Sequence, residues 1–155
     1  MSGYRVGSAL LIVGLCGTVA AEGQGREFPF HYAVKLVCGI QRERGGVVPQ
    51  SYATTINIHN PSDSVAQFVK SWVMTLPPGG QRPMKPRRLS VDTLGPTLAL
   101  ATDCVDVHRR SGSGVPPFFE GFVLIDSSHS LDVVAVYSVP GGIDIVHVPE
   151  RSRFR

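Results

Sequence analysis

Alternation at a period of two constrains this chain more than any other feature. Tyr32, Val34, Leu36, Cys38 and Ile40 occupy one set of alternate positions, and Ala33, Lys35, Val37 and Gly39 the other. Side chains alternate across a strand, so the first set faces a core and takes Cys38 with it. Runs rich in Val, Ile, Tyr, Phe and Thr recur along the chain, divided by Gly, Pro, Asn and Asp. No helical period of useful length competes with them.

The polar stretch 41–50 separates the first strand, residues 30–40, from a second at 51–59. There Ile56 and Ile58 face one way, Asn57 and His59 the other. Asn60-Pro61-Ser62-Asp63 is a turn: Pro61 fixes φ, and Asn60 and Asp63 accept local backbone hydrogen bonds. A third strand at 65–76 is apolar on both sides, with Phe68, Trp72 and Met74 against Val69 and Val73. Prolines 77, 78, 83 and 86 forbid a continuous ladder over residues 77–88, which read as a loop.

Residues 89–107 hold one or two short strands, and 97–101 fit a single helical turn. A second loop covers 111–117. Strands follow at 118–126 and 131–139, joined by Ser127-Ser128-His129-Ser130 as an expected hairpin. The second of them is apolar on both faces, as a central strand is. Pro140-Gly141-Gly142 then turns the chain into a last strand, 143–148, and residues 150–155 read as a frayed basic tail. About seven strands at this spacing predict an all-β fold. The expected architecture is an antiparallel immunoglobulin-like β-sandwich over residues 30–149, favoured over a closed barrel.

The start of the chain sets the compartment. Met1 to Arg5 carries one positive charge, residues 6–19 are largely apolar, and Val19-Ala20-Ala21 places small residues before Glu22. This is the layout of a cleaved secretory signal peptide, too short to span a bilayer. Cys16 lies within it, and Leu15 before it argues against a lipidation site, which needs a small residue there. Cleavage after Ala21 leaves 134 of the 155 residues, enough for one domain, with a short flexible segment at 22–29. It also removes Arg5, so 14 basic residues face 12 acidic ones, a net +2. That balance excludes bulk nucleic-acid binding, which needs a concentrated basic face. No later apolar stretch is long enough to span a membrane. The expected location is secreted or periplasmic.

Of the three cysteines, Cys38 and Cys104 remain after cleavage. In an oxidising compartment they are expected to pair; two buried free thiols are the alternative.

The segments at 32–39 (YAVKLVCG), 56–61 (INIHNP), 121–125 (GFVLI) and 131–137 (LDVVAVY) together resemble a group of small exported bacterial β-sandwich proteins of unassigned function. The likeness covers residues 32–149. It implies a bacterial exported protein with one sandwich domain, and it supplies no catalytic residues.

Candidate chemistry is sparse. If residues 103–108 form a strand, Cys104, Asp106 and His108 project from one face, and carboxylate, thiolate and imidazole all ligate metals. A disulfide would consume Cys104, leaving Asp106 and His108 as a weak metal alternative, so no metal or other cofactor is expected. The five histidines are scattered, and no Gly-x-Ser-x-Gly, His-Glu-x-x-His or phosphate-cradling glycine loop occurs. Glu120 with Asp126, or Asp103 with Asp106, are candidate carboxylate pairs for glycoside hydrolysis, a test that depends on their separation. A metal-dependent or hydrolytic enzyme centred on Asp103, Asp106 and His108 is the least favoured reading. The expected activity is none.

Arg82, Lys85, Arg87 and Arg88 sit in the Pro-bounded loop 81–88 and are the candidate binding residues. Arginine suits bidentate contact with carboxylate, sulfate or phosphate, and a stiff loop loses little entropy on binding. The partners that fit are an acidic polysaccharide, an anionic lipid headgroup or an acidic protein surface. A solvated loop is the bland alternative. Lys70 shares a strand face with Phe68 and Trp72, so it must snorkel to an edge or meet a carboxylate. Trp72 reads as a core anchor rather than a sugar platform. The sequence therefore predicts a non-catalytic interaction module. A structural subunit that assembles through strand edges, with 22–27 as an exchangeable strand, is the alternative.

Overall fold

In the computed structural model, residues 28–43, 46–80, 85–112 and 114–152 are described. The expected signal peptide, residues 22–27 and Arg82 lie outside them.

Among the described residues nine strands and one helix follow in chain order: β1 (Phe30–Ile40), β2 (Ser51–His59), β3 (Ala66–Met74), β4 (Arg87–Leu94), β5 (Ala99–Asp103), α1 (Cys104–Ser111), β6 (Phe118–Ser127), β7 (Asp132–Val139), β8 (Gly142–His147) and β9 (Arg151–Ser152). All pairings are antiparallel, in the order β4-β3-β6-β1-β2-β7-β8, with β5 on β2 and β9 on β1. The ladder bends where β1 meets β2, which share only the pairs Gly39↔Tyr52 and Ile40↔Ser51. Two layers result, β4-β3-β6-β1 and β5-β2-β7-β8. The fold is the expected antiparallel β-sandwich.

The inward positions are those the alternation assigns. Tyr32, Val34, Leu36 and Cys38 of β1 are buried, as are Phe68 and Trp72 of β3 and Val123 and Ile125 of β6. From the other layer come Ile56, Ile58, Val133 and Ala135. Each large side chain so buried contributes about 1.5–3 kcal/mol. Trp72 meets Phe119 edge-on, with ring centroids 5.8 Å apart, and is the core anchor its pattern suggests. Strand β7 lies between β2 and β8, the central position its two apolar faces require.

Several connections do structural work. Asn60 is fully buried; its Nδ2 donates to Ser64, Leu94 and Gly95 carbonyls, and its Oδ1 accepts from Ser62 N and Oγ. One side chain thus locks the β2–β3 turn to the β4–β5 turn. Pro140-Gly141 closes the β7–β8 hairpin, with Gly141 at φ +88°, a conformation that excludes most side chains. At Gly39, φ is +96° and a Cβ would lie 1.8 Å from the Pro117 carbonyl oxygen, so only glycine fits.

Three expectations need correction. Residues 127–130 do not form a hairpin: β6 pairs with β1 and β3, β7 with β2 and β8, so this link crosses between the layers. Both strands are apolar on their inward faces, and facing layers satisfy that pattern as well as neighbouring strands do. Thr97 is in a turn with φ +56°, and β5 occupies Ala99–Asp103 where a helical turn was expected. The tail is not frayed from its start, since Phe30 pairs with Ser152 and His31 with Arg151.

Candidate interaction site

The site lies at the β4 end of the sandwich, where helix α1 packs. Residues 103–108 are not a strand. Asp103 caps α1: its Oδ1 accepts from Asp106 N at 2.9 Å, and Asp106 Oδ2 accepts from Asp103 N at 3.4 Å. This reciprocal capping box satisfies two orphan backbone donors. Val107 and Ser111 form the buried stripe, and Cys104 stands one turn before Val107. Gly112, at φ +73°, ends the helix.

The Cys38–Cys104 disulfide is formed, with Cα atoms 5.7 Å apart. It joins the core face of β1 to the first turn of α1. The strand on which the metal alternative rested is a helix. Asp106 is engaged in the cap, His108 is exposed on a helix, and no group of three or more metal-ligating side chains occurs among the described residues. Of the carboxylate pairs, Asp103 and Asp106 are both engaged in the capping box, and Glu120 with Asp126 does not meet the separation. Glu120 and Asp126 lie six residues apart on β6, roughly 20 Å, twice the widest glycosidase separation. Each already holds a partner, Lys35 for Glu120 and His31 for Asp126.

The expected basic loop 81–88 needs correction: Arg87 and Arg88 belong to β4, so of the four candidate residues only Lys85 lies in the described part of the loop. A bulge between Lys70 and Ser71 sets the register of β4, so Arg87 opposes Trp72 and Arg88 opposes Ser71. Opposed residues share a face. Arg87 therefore points with Trp72 to the inner side, and Arg88 with Ser71 to the outer side. Lys85 and Arg87 line a cleft of about 210 Å³ together with Trp72, Met74, Leu76 and Val115. Trp72 Nε1 is buried there without a hydrogen-bond partner among the described residues.

Sequence reasoning missed the helix's contribution. Arg87 Nη1 donates to the Ser111 carbonyl at 3.0 Å, and Arg110 Nη1 donates to the Leu89 carbonyl at 3.2 Å. These reciprocal bonds hold the basic last turn of α1 (His108, Arg109, Arg110) against the start of β4. The signal was present: Asp103 precedes Asp106 by three positions, Cys104, Val107 and Ser111 recur at helical spacing, and Gly112 follows.

A second cavity of about 210 Å³ opens between the layers, with Lys70 and Arg110 in its wall. Lys70 is 6% exposed. Its Nζ donates to Thr102 Oγ1 at 2.6 Å and lies 3.4 Å from Asp92 Oδ2, so it meets the carboxylate its position demanded.

No protein-family model matches the chain, and no curated protein matches it. Among solved structures, that of Thermotoga maritima 1070 superposes with a TM-score of 0.48 at 10% identity, covering 78% of this chain and 95% of that one. No helix among the described residues is long and apolar enough to cross a membrane.

Proposed function

We propose that the chain is an exported, non-catalytic interaction module whose basic loop contacts an acidic protein surface. The observation that carries this reading is the placement of Lys85 and Arg87 around a cleft walled by Trp72, Met74, Leu76 and Val115. Cations beside an apolar recess suit a segment in which carboxylates flank an apolar side chain. An acidic polysaccharide or an anionic headgroup would use the arginines and leave the recess empty. Arg109 extends the positive edge, while Arg88 serves the outer face. Export rests on the signal pattern of residues 1–21 and agrees with a structural disulfide. The resemblance to small exported bacterial sandwiches points the same way.

In-cell crosslinking of the tagged protein tests this, with partners identified by mass spectrometry. The comparison is a variant with Arg82, Lys85, Arg87 and Arg88 all changed to Gln. The reading expects the variant to fold and to lose its acidic partners. Identical partners for both proteins would refute it.

The structural-subunit reading has one observation in its favour. All six residues of β8 are exposed, Ile143 by 71% and Ile145 by 67%, on an open sheet edge. Such an edge templates pairing with another chain. Crosslinks to itself alone, with concentration-dependent assembly lost on trimming residues 22–27, would favour that reading.

A further inference from the structure

We propose that the cavity between the layers, walled by Lys70, is a second binding site, for a small hydroxylated carboxylate of the sugar-acid type. Lys70 lies on the inner face of β3 and Thr102 on the inner face of β5, so their hydrogen bond spans the two layers. An apolar side chain would join these layers without the cost of a buried ammonium, which is several kcal/mol before pairing. The structure keeps the charge and leaves open space beside it.

The unused hydrogen-bonding capacity defines the ligand. An ammonium has three donors, and the described residues supply two acceptors, Thr102 Oγ1 and Asp92 Oδ2. The Thr102 hydroxyl accepts from Lys70 and retains its own proton to donate. Arg110 has five N–H groups, one of them engaged by the Leu89 carbonyl. These three donors line one cavity, which fits a carboxylate. Two acids line it as well. Asp92 Oδ2 already serves Lys70 and the Ser90 hydroxyl, leaving Oδ1 open. Asp106 is engaged in the helix cap and loosely, at 3.8 Å, by Arg109. Their open lone pairs would repel a second anion and accept from hydroxyls. A molecule with one carboxylate and several hydroxyls satisfies both halves of the wall. This site is separate from the cleft at Lys85 and Arg87, so either can fail without the other.

The test is an amide NMR titration of the oxidised protein with glucuronate and, separately, with glucose, which keeps the ring hydroxyls and lacks the charge. The expected result is a saturable shift of Thr102 and its neighbours on β5 and α1 with glucuronate, and at least tenfold weaker binding of glucose. Lys70→Met and Arg110→Gln should each weaken glucuronate at least tenfold, while Arg42→Gln, on the distant β1–β2 connection, should not. If Lys70→Met does not fold, Arg110→Gln with Thr102→Val decides the matter. The proposal is overturned if neither sugar gives a saturable shift, if glucose binds as well as glucuronate, or if the cavity variants bind like the wild type.

Discussion

Removing the Cys38–Cys104 bridge should cost this fold a large share of its margin. The two cysteines are 66 positions apart. For a loop of that length the chain-entropy account gives about 4 kcal/mol, lost when the unfolded chain is freed. Typical domains have only about 5–15 kcal/mol in total. The location adds to the effect, because the bridge anchors the first turn of a helix of eight residues, too short to persist unsupported. The perturbation is Cys38→Ala with Cys104→Ala, compared with reductant acting on the wild type. The assay is urea unfolding followed by the fluorescence of Trp72, the single tryptophan, which is buried. Reductant should lower wild-type stability by about 4 kcal/mol and leave the double variant unchanged. The variant should also lose protection of α1 amides. A wild type indifferent to reductant, or a loss below about 1 kcal/mol, would refute the reasoning.

Four further outcomes follow from the same structure. Asn60→Ala should destabilise by about 3 kcal/mol, since it strips two turns of their shared buried partner and unpairs several carbonyls; calorimetric melting measures this, and a loss under about 1 kcal/mol contradicts it. Gly121→Ala should destabilise by about 3 kcal/mol or prevent folding, because its Cβ would sit 2.2 Å from the Val73 carbonyl oxygen in the middle of the sheet; expression and melting temperature report it. Burial raises the pKa of Tyr32, against the Leu131 N–H that lowers it, and burial with the nearby Asp144 raises that of Tyr137. Folding favours the neutral phenols, so their contribution is intact below about pH 10 and is lost as pH rises through the raised values. The urea midpoint should fall above that pH, and Tyr137→Phe should shallow the fall. Asp92→Asn should cost about 2 kcal/mol by leaving the Lys70 ammonium with a neutral partner, measurable by urea titration against the wild type.

The period-two pattern read the sandwich well because it reports burial directly. The inward set of β1, the outward placement of Asn57, the central position of β7 and the Pro140-Gly141 turn all follow from local residues. What was illegible depended on which strand lies beside which. The 127–130 link looks like a hairpin because facing layers and paired strands demand the same alternation. Residues 103–111 misled for a different reason. Asp103-Cys104-Val105-Asp106-Val107-His108 also alternates, and a strand reading places its ligands on one face. The capping acids, the Gly112 stop and the tertiary bridge at Cys104 decide for a helix. The basic loop was found from composition alone, but the opposite directions of Arg87 and Arg88 arise from a bulge between Lys70 and Ser71 that no sequence pattern announces. Arg109 and Arg110 were missed with the helix that presents them.

On the proposed reading the cleft at Lys85 and Arg87, rather than the β8 edge, is where this protein meets its partner. The most direct test places a photo-crosslinking residue at Val115, in the cleft, or at Ile145, on β8, and activates it in cells exporting the protein. Position 115 should capture a different protein through a segment rich in Asp and Glu, and Lys85→Gln with Arg87→Gln should abolish the product. Position 145 should capture nothing reproducible. Crosslinks from 145 to a second copy of this chain, with none from 115, would contradict it.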